Sequence, residues 1–233
     1  NDWKKFLSAN RGKYYTVDIS FSTNNVEFAS FAATNQVSAV DIDSHLTYRL
    51  IPPSYTGFSD MGIYQRDLTS FEEKVLYRNI QVGSAQCVNC HTYNAANPSN
   101  YLFHTRAVKG GTVFVSPKYG KFKADLKAEG CISGGVYPAW HPSGDYVVFS
   151  QNETRQSFYS ANRDKIEVAD LRSDLVMYSL ADNTVSVIEN KPEYFESFPT
   201  WTPDGNALFS VCAKTDFNDH SADEVVRGDK IFN

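Results

Sequence analysis

No stretch of this chain approaches the roughly 18 consecutive apolar residues that mark a membrane-spanning helix, so it offers no helical span. Basic residues are outnumbered, 22 Lys and Arg against 27 Asp and Glu, for a net charge of −5. No cationic cluster offsets that balance, which argues against a nucleic-acid partner. Four cysteines in 233 residues are too few for a dense disulfide framework. Catalytic signatures are missing too: there is no G-x-S-x-G, H-E-x-x-H, P-loop or G-x-G-x-x-G. Acidic neighbours such as Glu72-Glu73 and Asp223-Glu224 read as solvated faces rather than acid–base pairs. Apolar residues never keep a 3.6-residue period, so helix content should be low. The chain opens at Asn1, which fits a removed leader or a segment of a longer protein.

Aromatics are plentiful, with 14 Tyr and 16 Phe, and such residues favour pleated, half-buried surface. The length suffices for a real core in one large or two small domains. Residues 26–32, 46–51, 61–66 and 74–77 read as short strands that together would make one four-stranded blade. Residues 71–77 could instead be a helical turn. Residues 101–107 and 112–115 begin a further set of strands. Residues 174–180 and 184–188 form a hairpin across Ala181-Asp182-Asn183. Residues 1–25 are taken as an N-terminal extension and 26–233 as the blades.

The second half contains a repeat. Tyr137-Pro138-Ala139-Trp140-His141-Pro142-Ser143-Gly144 matches Phe198-Pro199-Thr200-Trp201-Thr202-Pro203-Asp204-Gly205, 61 residues later, and a short apolar strand follows each. Fixed-period self-similarity means a repeat architecture. The Pro-x-Gly run makes a tight turn into the next strand, and the Trp is expected to pack between neighbouring sheets.

Cys87-Val88-Asn89-Cys90-His91 carries the chemistry. C-x-x-C-H is the attachment signature of c-type haem: the two thiols bond the vinyl groups and the adjacent His meets the iron. A C-x-x-C pair can also be a redox disulfide or half of a zinc site. Zinc would take Cys87 and Cys90 with His91 or His104, but His91 directly beside Cys90 makes tetrahedral closure awkward, and no second C-x-x-C is present. Cys131 and Cys212 read as two buried single thiols rather than a long-range bridge.

These residues carry a family resemblance. Residues 48–53, 61–68, the C-V-N-C-H block, Phe103-His104-Thr105-Arg106 and residues 135–144 occur in an order similar to a group of exported Bacteroidetes TolB-like, WD40-like (PD40) β-propellers bearing one C-x-x-C-H and related by label to cytochrome c. The resemblance implies an all-β TolB-like propeller, with about three to four blades in this chain as part of a larger one. A further segment or chain would then complete it, because open sheet edges need cover. It also implies an exported, periplasmic or cell-envelope setting.

With haem c attached through Cys87 and Cys90, His91 is the proximal ligand. The distal iron ligand is then His104, with Met61 as the alternative. The bland readings are a strand histidine bonded to backbone for His104 and core filling for Met61. His141 reads as structural, and His45 and His220 as solvated. The motif is expected on an exposed loop at 87–91, with Tyr93, Tyr101 and Phe103 as an apolar wall. Two functions follow: electron transfer or redox-linked binding with a redox partner, or a haem-free scaffold for a protein or glycan with Cys87 and Cys90 as a disulfide. An enzyme with an unrecognised site is a third reading, because fold does not fix function.

Overall fold

A computed structural model describes residues 2–41, 43–51, 60–81, 87–107, 110–158 and 166–214. The remaining residues, among them His220 and Asp223-Glu224, lie outside that description. The chain divides into two compact units, Asn1–Thr47 with Gln65–Lys74, and Tyr48–Tyr64 with Val75–Asn233.

The first unit is led by the helix α1 (Asp2–Ala9) and the hairpin of β1 (Tyr14–Thr23) with β2 (Val26–Gln36). Asn24 and Asn25 both take positive φ, 49° and 63°, the left-handed pair a two-residue hairpin turn requires. Trp3 and Phe6 of α1 stack on each other and meet Tyr15 edge-on, with centroids 5.4 to 6.0 Å apart. β1 and β2 pair with each other across the 25/26 boundary drawn from the sequence. The strand expected at 26–32 therefore belongs to this hairpin and not to a blade.

The next strands are β3 (His45–Leu50), β4 (Gly62–Asp67) and β5 (Glu73–Arg78), a three-stranded sheet in that order. Residues 73–78 are strand rather than helical turn.

Two four-stranded meanders follow. β6 (Cys87–Tyr93), β7 (Tyr101–Arg106), β8 (Gly111–Ser116) and β9 (Gly120–Ala124) form the first. β10 (Gly135–Trp140), β11 (Tyr146–Phe158), β12 (Ile166–Ser179) and β13 (Thr184–Glu189) form the second. β14 (Tyr194–Trp201) pairs with β15 (Leu208–Lys214). All the registered pairs within these sheets are antiparallel, and the order within each sheet is the order along the chain. An all-β fold built of sequential up-and-down blades is a β-propeller architecture.

The β6–β9 blade is buried on both faces. Phe103 of β7 and Val88 of β6 pack against Met61 and Ile63 on one side. Leu102, Phe114 and Leu126 pack against Trp140, Val147, Phe149 and Tyr178 on the other. Alternation along β7 sends adjacent residues to opposite sheets, as a period of two demands. Trp140 meets Phe114 edge-on at 5.9 Å, and Phe114 stacks on Tyr178 at 5.1 Å. The sequence put Trp140 and Trp201 in equal roles, but the structure separates them. Trp140 is buried, whereas Trp201 is half-buried and lies edge-on against His141 at 4.8 Å.

The turns dock in series. Asn94 gives Nδ2 to the His141 carbonyl at 3.2 Å and lies against Gly144, where a Cβ would stand 2.9 Å from that Nδ2. One blade on, His141 Nε2 is 3.2 Å from the Gly205 carbonyl, and a Cβ on Gly205 would stand 2.5 Å from that nitrogen. Both glycines also hold positive φ, 77° and 74°. Gly205→Ala therefore meets backbone strain and a collision together. It should destabilise by about 1–3 kcal/mol, read as a lower midpoint of urea unfolding. An unchanged midpoint would contradict this turn packing.

Glu196 on β14 is 1% exposed, and among the described residues no side chain donates to its carboxylate. Burial first, then the neighbouring Glu189 and less so Asp174, pushes its pKa up to about 7, against the Lys191 amide and ammonium. The folded chain thus holds this proton more tightly than the unfolded chain, where a Glu titrates near about 4.3. Stability from this group is present below that value and is lost as pH rises through about 7. Thermal midpoints should fall from about pH 5 to about pH 8 and fall less in Glu196→Gln, which should be the more stable protein at the upper end. Parallel pH profiles would refute the assignment.

Candidate functional site

The C-x-x-C-H motif lies in strand β6, not in the loop expected from its small and polar flanks. Its register with β7 is Cys87↔Arg106, Val88↔Thr105 and Asn89↔His104, then Thr92↔Leu102 and Tyr93↔Tyr101. Cys90 and His91 share the space opposite Phe103, so they form a β-bulge, and Cys90 takes φ +52°. A bulge re-aims side chains that regular alternation would send to opposite faces.

The same bulge recurs in the next two blades. The β10 register breaks between Val136 and Ala139, and the β14 register between Ser197 and Thr200. The left-handed residues there are Tyr137 (φ +47°) and Phe198 (φ +53°). Cys90-His91 thus occupies the place of Tyr137-Pro138 and Phe198-Pro199, and Tyr93 the place of Trp140 and Trp201.

The turns agree. Asn94 N bonds Asn100 O, His141 N bonds Tyr146 O and Thr202 N bonds Ala207 O, each at 2.9 Å. The motif is a third copy of the repeat. The left-handed strain at Cys90 therefore belongs to the blade design and not to the chemistry of the motif. Tyr137 and Phe198 touch, with centroids 4.5 Å apart. Burial raises the Tyr137 hydroxyl pKa, with Asp170, Cys90 and Arg106 also acting on it.

All four cysteines are free thiols: Cys87, Cys90 and Cys131 are half-buried and Cys212 is exposed. Cys212 is thus not the buried thiol expected. Cys87 Sγ lies 4.0 Å from Met61 Sδ, against the Val88–Phe103 cluster. Burial pushes the Cys87 thiol pKa up, against opposing pulls from Arg106 and Arg49. Arg49 also reaches the Val88 carbonyl, with Nη1 at 3.4 Å.

The structure brings Met61 to Cys87 and sends His104 elsewhere. His104 alternates with Phe103 on β7 and projects from the other face, buried, with Nδ1 3.0 Å from Thr112 Oγ1. That bond is to a side chain, not to the backbone as the bland reading had it. Desolvation lowers its pKa to about 4, so it is neutral at pH 7. Of the expected apolar wall, Phe103 is buried with Met61, and Tyr93 meets Tyr101 at 5.4 Å. His141 is structural: its ring nitrogens face Ser143 Oγ and the Gly205 carbonyl.

Arg106 and Arg49 were missed as site residues. The signal was there in Phe103-His104-Thr105-Arg106, where a cation ends a strand whose other residues are largely buried. Among the described residues no group of three or more His, Cys, Asp and Glu side chains is arranged to hold a metal ion. No helix there is long and apolar enough to cross a membrane.

The donor set suits covalent haem. Two free, half-buried thiols stand three residues apart beside a half-buried imidazole, with Arg49 and Arg106 as cations near Cys87. Cys87 Sγ touches Met61 Sδ, while the His104 ring is turned to Thr112.

No family model matches the chain, and no curated protein sequence matches it. Solved structures do. One is a prolyl endopeptidase from a mechanistic study of two such enzymes, at 15% identity and TM-score 0.48, covering 76% of this chain and 26% of that one. Another is TolB from Acinetobacter baumannii, at 12% identity and TM-score 0.45, covering 94% of this chain and 58% of that one. The chain thus spans about a quarter of the first structure and under two thirds of the second. Both likenesses are of fold alone. From its own blades, the chain is an all-β protein of β-propeller architecture.

Proposed function

We propose that this is an exported TolB-like propeller protein that carries one covalent haem c at Cys87, Cys90 and His91 and serves electron transfer or redox-linked binding. One observation carries the reading. At a bulge whose other two copies hold an interchangeable aromatic and a proline, this blade alone holds Cys90-His91. Function here is grafted onto a position the fold repeats without needing its side chain.

Cys87 and Cys90 would each add S–H across one vinyl group, sulfur to one carbon and hydrogen to the other. His91 would ligate the iron, and His104 or Met61, whose sulfur lies 4.0 Å from Cys87 Sγ, would supply a second ligand. Bound haem supplies reversible one-electron exchange. Arg49 and Arg106 would hold carboxylate groups beside Cys87. The partners are a redox protein and a further segment or chain covering β15, where Phe209 and Val211 are exposed.

A haem-free dithiol scaffold is the second reading, favoured by the close packing of Cys87 on Met61. Its weakness is that redox-active pairs depend on a lowered thiol pKa, and that of Cys87 is raised. The test is to express the chain with an export signal in a host that matures c-type cytochromes. A Soret band that survives denaturing gel separation is expected. A colourless, fully exported and folded protein would overturn the haem reading.

A further inference from the structure

A cavity of about 440 Å³ opens between the β6–β9 and β10–β13 blades, at the Arg106 end of β7. That volume falls in the range of small-molecule sites. Its lining includes two cationic residues and one carboxylate. His104, Arg106 and Lys127 line it, together with Asp125 and Asn152. Among the described residues neither Arg106 nor Lys127 makes an ion pair or a side-chain hydrogen bond. Arg106 is half-buried, and a partly desolvated guanidinium with no counter-ion among the described residues is a poised anion receptor.

One carboxylate, Asp125, lines the cavity, against the two cations Arg106 and Lys127. Asp125 accepts the Lys127 amide at 3.0 Å. Asp170, behind the wall, accepts from Asn152 Nδ2 at 2.7 Å and Thr154 Oγ1 at 2.6 Å. The proton on His104 follows from its neighbour. Thr112 is fully buried, and the only partner found for its hydroxyl among the described residues is His104 Nδ1. A buried hydroxyl must donate, so Nδ1 accepts and the ring proton sits on Nε2.

Gly134 keeps that nitrogen accessible: a Cβ there would stand 3.1 Å from His104 Cε1 and 3.4 Å from Nε2. Its φ lies outside the left-handed range, so Ala is tolerated by the backbone and intrudes only on the space over the ring.

We propose that this interblade cavity binds a small molecule through an oxyanion, carboxylate or phosphate, held by Arg106, the Nε2–H of His104 and Lys127. The cavity shares Arg106, the cross-strand partner of Cys87, with the haem reading, but it needs no haem and is tested without it. His104 is neutral at pH 7, so binding there needs no protonation event.

The test titrates the full haem-free chain with citrate and, separately, with inorganic phosphate, following heat and the carbon-bound ring proton of His104 by NMR. Saturable one-to-one binding of at least one probe, moving the His104 resonance, is expected. Citrate alone marks a carboxylate site, and phosphate alone a phosphate site. Arg106→Gln should weaken binding at least about tenfold, and Gly134→Ala should weaken it with thermal unfolding unchanged. Lys13→Gln, in the other unit, should bind as the parent does. Should Arg106→Gln fail to fold, Lys127→Gln and Gly134→Ala decide. Heat that never saturates, or equal affinity in Gly134→Ala, Lys127→Gln and the parent, would overturn the proposal.

Discussion

Trp140→Ala should lower unfolding stability by roughly 3–5 kcal/mol. Its indole closes the layer between two blades, edge-on to Phe114, in the cluster with Phe149 and Tyr178. Removing it leaves a void that these strands cannot fill, because Phe114 is already pinned by Phe122 and Tyr178, each at 5.1 Å. The indole N–H is buried and unpaired among the described residues, so it contributes little beyond area. Trp140→Phe should therefore cost less than about 1.5 kcal/mol. Trp201→Ala, at a half-buried site, should cost about 1–2 kcal/mol. Urea unfolding of the three variants checks the series. Equal losses at 140 and 201 would contradict the account of the core.

Changing Cys87 and Cys90 together to Ala should remove covalent haem entirely while the blade stays folded. Cys87 gives up only its sulfur contact with Met61, a loss of about 1 kcal/mol. Cys90 sits where the repeat tolerates Tyr and Phe, so Cys90→Tyr should also fold, with attachment crippled. His91→Ala keeps both thiols. It should retain the attached mass but shift the visible spectrum through loss of the proximal nitrogen. Far-ultraviolet circular dichroism with in-gel haem staining separates these outcomes. Haem stain persisting in the double Ala variant would remove the cysteines from the account.

The architecture was legible where the repeat kept its marker residues. Pro138, Trp140 and Gly144, with their partners 61 residues on, betrayed two blades directly. The third copy was hidden for physical reasons. Cys90-His91 replaces aromatic-Pro, Tyr93 replaces Trp, and its turn is longer, running from Asn94 to Asn100. Spacing gave no help. Cys90 precedes Tyr137 by 47 residues, because the second meander contains the long β11 and β12 strands and the first does not.

The motif was therefore read as a loop, since small polar flanks look the same before a strand as within a connection. Met61 and His104 were both sensible iron ligands in sequence. Strand alternation on β7 sets Phe103 toward Met61 and His104 toward Gly134. Nothing in the sequence around Gly134 tells that this residue leaves the edge of a buried imidazole open.

The most direct test of the central claim is the mass of the proteolytic peptide containing Cys87 to His91, taken from protein exported by a haem-maturing host. The account predicts that this peptide carries one haem with both thiols consumed and resistant to alkylation. The same peptide with no added mass, its two cysteines joined to each other or both open to alkylation, would contradict it.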